Sequence, residues 1–286
     1  MPLTDDDVAL FRELDKRGAA IEPCPFRSCW EFLQAAVWTR DEASGQIRKF
    51  PDWDYLRYLS EERKSHRIRA YEKSRRMMVT WWLVAEYLFD LMTANTHTNA
   101  VASDKLEKSA YLLGPDRMQL IYDLIPPVSA GTLNMLQARG MDVGPFRERV
   151  WPNRPEVLFT GKQGRGWRQA ACERTGSVIM AVASGESQMQ QYTFSNILMD
   201  EFPRWQWQQE SWRNIQPTTQ GGGCVDIVCT AELGSFAYDL LYDEGWGCSA
   251  LKNGTLRAVY TCSGCIIPLM ITSAVRSGSR KRRAVL

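Results

Sequence analysis

Three short apolar runs constrain the fold most: SVIMAVAS (177–184), SNILMD (195–200) and VDIVCT (225–230). Each has the length of a strand and lacks the polar alternation of a sheet with one wet face. Such runs are expected to be buried on both faces, the pattern of a largely parallel sheet. HRIRAYE (66–72) and TNAVAS (98–103) read as two earlier strands. Helical patterns lie between them. In FPDWDYLRYLSEER (50–63), Pro51 stands at a helix start and Trp53, Leu56 and Leu59 recur on one face. MVTWWLVAEYLFDLM (78–92) is a strongly apolar helix, and DKLEKSAYLLGPDRMQLIYDLI (104–125) is one helix or two. Residues 4–40 are expected to be mostly helical, with Thr4 and the following aspartates at a helix start and a break at Pro23 and Pro25. The Gly-, Pro- and Arg-rich stretch 128–170 is expected to be irregular. Strands alternating with helices define an α/β chain.

Bulk properties remove several functions. No run reaches the roughly 18 apolar residues of a membrane span. The first residues, MPLTDDDVAL, lack the basic-then-apolar layout of an export signal, so a cytosolic protein is expected. The eight cysteines are scattered and read as reduced thiols. Cys262 and Cys265 form a lone CxxC, and a zinc site needs a second ligand pair. Net charge is only +2, yet no acid follows Glu244 while Lys252, Arg257, Arg276, Arg280, Lys281, Arg282 and Arg283 accumulate. That distribution marks 246–286 as a basic tail, of a kind that neutralises nucleic-acid phosphates.

Ligands of open α/β sheets bind beyond the carboxyl ends of the strands, and three strand ends here carry suitable chemistry. The first is EKSRRMMVTW (72–81). In a phosphate-binding loop, backbone N–H groups surround phosphate at a helix N-terminus, a cation offsets its charge, and a Ser or Thr hydroxyl meets Mg2+. Thr80 holds the hydroxyl position, but Val79 replaces the usual lysine and the loop has no glycine. The cation would come from Lys73, Arg75 or Arg76. At the second end, ILMDEF (197–202), Asp200 suits a Mg2+ ligand and Glu201 a group that polarises water. At the third, VCTAE (228–232), Thr230 and Glu232 could sense a terminal phosphate.

Taken together, KSRRMMVTW, NILMDEF and VCTAE resemble the ATPase domain of the large terminase subunit of tailed bacteriophages, the motor that packages DNA into the capsid. FPDWDYLRYL is similar to that family's adenine-binding segment, and the likeness covers about residues 30–245. It implies a P-loop NTPase of RecA/ASCE type over 1–245, with ATP and Mg2+ as cofactors. It assigns Arg75 to the early basic position of the loop, with Lys73 as a second candidate, and leaves Ser74 and Arg76 in the phosphate loop. Thr80 and Asp200 would hold the metal, Glu201 would be the catalytic carboxylate, Thr230 the coupling residue, and Trp53 and Tyr55 the base-stacking pair. Expected partners are double-stranded DNA, a small terminase subunit, a portal protein and further copies in a ring on the procapsid, in the host cytoplasm and away from membranes.

Two departures stand out. Met78 occupies a position where many members have glycine, and the acids of the family's nuclease half are missing, so no nuclease is expected in this chain. A truncated, frame-shifted or split gene would each produce that ending. Two alternatives stay open: a helicase-like ATPase, and a non-catalytic remnant that binds DNA or other terminase subunits.

Overall fold

A computed structural model describes residues 24–41, 43–73, 77–185, 192–230 and 235–236, with the strands 257–262 and 270–273. Its centre is a nine-stranded sheet. Six strands run parallel: β3 (Ile68–Lys73), β4 (Thr98–Ser103), β7 (Ser177–Ala183), β8 (Asn196–Met199), β9 (Cys224–Cys229) and β10 (Arg257–Cys262). An antiparallel hairpin, β5 (Leu158–Gln163) and β6 (Gly166–Cys172), extends it beyond β7, and β11 (Met270–Ser273) closes the other edge against β10. The order is β11-β10-β3-β9-β8-β4-β7-β6-β5. A separate ribbon pairs β1 (Trp38–Arg40) with β2 (Ile47–Lys49).

Side-chain alternation along the parallel strands feeds two cores. In β8, Leu198 faces one cluster while Ile197 and Met199 face the other. The larger cluster is built with α1 (Cys29–Ala36), α2 (Asp54–Glu62), α3 (Val79–Thr93), α4 (Leu106–Leu113), α5 (Met118–Asp123) and α6 (Ala130–Ala138). The smaller gathers Trp205 with Trp212 and Ile215 of α7 (Gln208–Gln220). Helices on both sides explain why the strands read as continuous apolar runs. Helix α4 lies so close to β6 that a Cβ at Gly166 would stand 1.9 Å from the Ala110 carbonyl oxygen.

Several expectations need correction. The stretch 128–170 contains α6, β5 and the start of β6. Helix α2 begins at Asp54, after Pro51, and Trp53 does not share the buried face of Leu56 and Leu59: it is 42% exposed while they are fully buried. Of the expected N-terminal helix, α1 is described and is followed directly by β1, while Thr4 lies outside the described residues. Cys265 and most of the basic stretch also lie outside them, although β10 and β11 fall within the span read as a tail.

Candidate nucleotide site

The three chemically loaded strand ends lie side by side, because β9 sits between β3 and β8. Glu72 is level with Cys229. Lys73 and Thr230 therefore leave the sheet together at its carboxyl edge. Ser74, Arg75 and Arg76 lie outside the described residues. The chain is described again at Met77 and Met78 and enters α3 at Val79.

Met78 caps that helix in the left-handed region (φ 55°, ψ 4°), and its carbonyl accepts the Trp82 N–H at 2.8 Å. Thr80 thus falls in the first turn of α3, where unpaired backbone N–H groups and the helix dipole favour an anion. Its Oγ1 donates to Asp200 Oδ1 at 3.3 Å, joining residues 120 positions apart.

Asp200 follows β8 directly and is fixed through its backbone. Its N–H donates to the Ala102 carbonyl at 2.9 Å, and its carbonyl accepts Trp205 Nε1 at 3.0 Å. The turn Phe202–Arg204, with a proline in its first turn and buried Phe202 beneath it, aims the acid pair. Burial pushes the Asp200 carboxyl up to about 6; Lys73 opposes that rise, neighbouring Glu201 adds to it, and the Thr80 hydrogen bond and Arg117 oppose it again. Glu201 is left-handed as well (φ 50°), and its carboxylate pairs with Arg204 Nη1 at 3.1 Å, both side chains partly exposed. In the free protein this acid is thus held by an arginine.

At the other end of the loop, the rings of Trp53 and Tyr55 stack at 5.7 Å and 29°. Trp53 is exposed, and the Tyr55 hydroxyl donates to the Met77 carbonyl at 2.7 Å. Cys229, under β9's tip, is inert: burial pushes its thiol up to about 12, with Glu72 adding to the shift.

Among the described residues no group of three or more His, Cys, Asp or Glu side chains could hold a metal ion. An ion here would take Thr80 and Asp200 from the chain. That donor set fits Mg2+, which binds through one or two protein oxygens together with phosphates and waters.

One neighbour of the site and one buried cluster within the sheet are not evident from the sequence pattern. Arg117 lies 4.4 Å from the Trp81 ring centre and 5.1 Å from that of Tyr111, and it lowers the Asp200 carboxyl. Asp226, fully buried in β9, receives Arg63 Nη2 at 3.0 Å, Arg69 Nη2 at 2.9 Å and the hydroxyls of Tyr71 and Tyr87 at 2.9 and 3.1 Å. A signal for the second existed, since Arg69 and Asp226 are charges inside otherwise apolar strands.

A mainly parallel sheet flanked by helices, with β3, β9 and β8 adjacent, is an open α/β fold. The chain is similar in fold to the large terminase of bacteriophage HK97, with a TM-score of 0.52 and 10% identity over 78% of this chain and 42% of that one. The large terminase ATPase domain of Thermus phage P74-26 matches at a TM-score of 0.45 and 11% identity, over 67% of this chain and 69% of that one. The large terminase of the thermophilic bacteriophage D6E in complex with ADP matches at 0.36 and 10%, over 61% and 37%. No family model and no curated protein matches the chain.

Proposed function

We propose that this chain is an ATPase of the large-terminase kind, hydrolysing ATP with Mg2+ to drive double-stranded DNA into a procapsid. The observation that carries this reading is the meeting of Thr80 with Asp200 at 3.3 Å, with Glu201 as the next residue. A hydroxyl on the first turn of a helix and a half-buried carboxylate at a neighbouring strand end are the pair expected around Mg2+ bound to nucleotide phosphates. The ion would bridge those phosphates and offset the charge that develops on them.

Glu201 would orient the attacking water once it leaves Arg204, and Lys73 with Arg75 would supply positive charge to the phosphates. Trp53 and Tyr55 would stack the adenine. In this reading the small terminase subunit, the portal protein, further copies in a ring and the host cytoplasm are the setting.

The test is ATP hydrolysis and Mg2+-dependent nucleotide binding in parent, Glu201→Gln and Thr80→Ala. Glu201→Gln should bind ATP nearly as the parent does and turn over at least about 100-fold more slowly. Thr80→Ala should lose the Mg2+-dependent part of binding. A parent protein that shows no saturable Mg2+-ATP binding would reject the proposal in favour of a non-catalytic fold.

A further inference from the structure

We propose that the Tyr55 hydroxyl, reaching from the start of α2, holds the exit of the phosphate loop in shape and so replaces the glycine that such a turn ordinarily needs. The inference deepens the nucleotide-site reading above and rests on it for its functional consequence.

The starting point is Met78. A residue with a Cβ at φ 55° carries a cost of roughly 1–2 kcal/mol, and such conformations persist only where their surroundings over-determine them. One restraint is the helix, through the hydrogen bond from Trp82 N–H to the Met78 carbonyl. That bond lies after the strained torsion and does not set it. The φ of Met78 is rotation about its N–Cα bond, which determines where the preceding carbonyl, that of Met77, points. This is the oxygen that the Tyr55 hydroxyl grips at 2.7 Å, across 22 residues of sequence. Fixing the Met77 carbonyl therefore fixes the Met78 torsion.

The consequence reaches the site within two residues. Thr80 follows Val79 in the first turn of α3, and its hydroxyl meets Asp200 only while the helix starts where it does. Tyr55 also stacks on the exposed Trp53 ring. A base settling on that pair would restrict Tyr55, and the same side chain would transmit the restriction to the loop. Tyr55 is thus a positioning residue for Thr80 in addition to a stacking surface.

The discriminating set is Tyr55→Phe, Met78→Gly and the double variant. Phenylalanine keeps the ring and removes the grip, and glycine adopts positive φ without help. Without nucleotide, amide hydrogen exchange of residues 82–86, whose N–H groups bond within α3 from Trp82 onward, should become about five- to tenfold faster in Tyr55→Phe, the loss expected of one neutral hydrogen bond. In the Met78→Gly background the same tyrosine change should alter exchange less than about twofold. Equal effects of Tyr55→Phe in both backgrounds, or none in either, would overturn the proposal.

Steady-state ATP hydrolysis supplies the second readout. Tyr55→Phe should lower kcat with KM nearly unmoved, and Met78→Gly should restore part of the loss. A rise in KM alone would mean that Tyr55 only stacks the base, which overturns the positioning role. If the parent hydrolyses no ATP, the ATPase reading fails, and the exchange comparison still decides on the tyrosine.

Discussion

At the residue scale, Asp200 carries the tension in the site. Its carboxyl is pushed to about 6 chiefly by burial, against an ordinary value of 3.8. Between those values the folded protein holds a proton that the unfolded chain has released. The sign follows: the ion-free fold loses stability as pH rises from about 4 to 6, and the penalty is fully present above 6. A half-buried carboxylate that is costly when alone is suited to meeting a cation. Asp200→Asn should therefore raise the melting temperature of the ion-free protein by a few degrees at pH 8 and change it little at pH 4. The same variant should abolish any stabilisation by Mg2+ with nucleotide. Thermal unfolding at both pH values, with and without Mg2+-ATP, checks this; a variant that melts below the parent at pH 8 contradicts it.

At the scale of elements, α2 is clamped at both ends. Tyr55 reaches the loop, while at the far end Ser60 and Trp82 donate to Glu86, and Arg63, just past the helix, lies 3.7 Å from Glu86 and 3.0 Å from Asp226. Strand β9, between the loop strand and the acid strand, is thereby bound to helices on one side through a fully buried charge. Burial alone would raise the Asp226 carboxyl, yet Arg63, Arg69 and the Tyr71 hydroxyl overcome this and hold it below the usual range. Its stabilisation is therefore present above about pH 4 and lost as pH falls through its depressed value. Asp226→Asn leaves two buried guanidinium groups short of a counter-charge and should cost about 3–5 kcal/mol in denaturant unfolding near neutral pH. A loss below about 1 kcal/mol would mean that the cluster relaxes into solvent.

These elements also show why some of the fold was legible and some was not. Apolar strands ending in Asp-Glu or Thr announce themselves, because burial on both faces leaves few polar positions, Asp226 being one, until the chain exits at the carboxyl edge. The β5–β6 hairpin did not. LFTGKQGRGWRQAAC is exposed along most of β5, has Gly161 at positive φ inside that strand and turns at Gly164, so its pattern matches neither a buried nor a half-buried strand. Helix α6 buries only Leu136 and lacks an apolar stripe. Helical spacing set Trp53 on one face with Leu56 and Leu59, but it precedes the helix as the N-cap, where that spacing no longer assigns a face. The left-handed state of Met78, and the hydroxyl that holds it, depend on a contact across 22 residues, which no local pattern encodes.

At the scale of the whole molecule, the site depends on where β3 stands in the sheet. This strand carries the loop and is flanked by β9 on one side and β10 on the other, with Arg257 to Cys262 running parallel to Ile68 to Lys73 along its whole length. β10 is in turn covered by β11. A chain ended at residue 245 would keep every candidate site residue, yet β3 would become an edge strand. An edge with unpaired N–H and C=O groups is a template for pairing with other chains. The positive charge of the residues after Glu244 is one property of this segment and the pairing of β10 with the backbone of the loop strand is another, and the two separate experimentally. The chain 1–245 should melt several degrees below 1–286 and scatter light on concentration. Replacing Arg280, Lys281, Arg282 and Arg283 by glutamine in the chain 1–286 should leave melting unchanged, and on the proposed function it should weaken binding of double-stranded DNA in a salt-sensitive way. Equal melting of the chains 1–245 and 1–286 would show that β3 does not need β10.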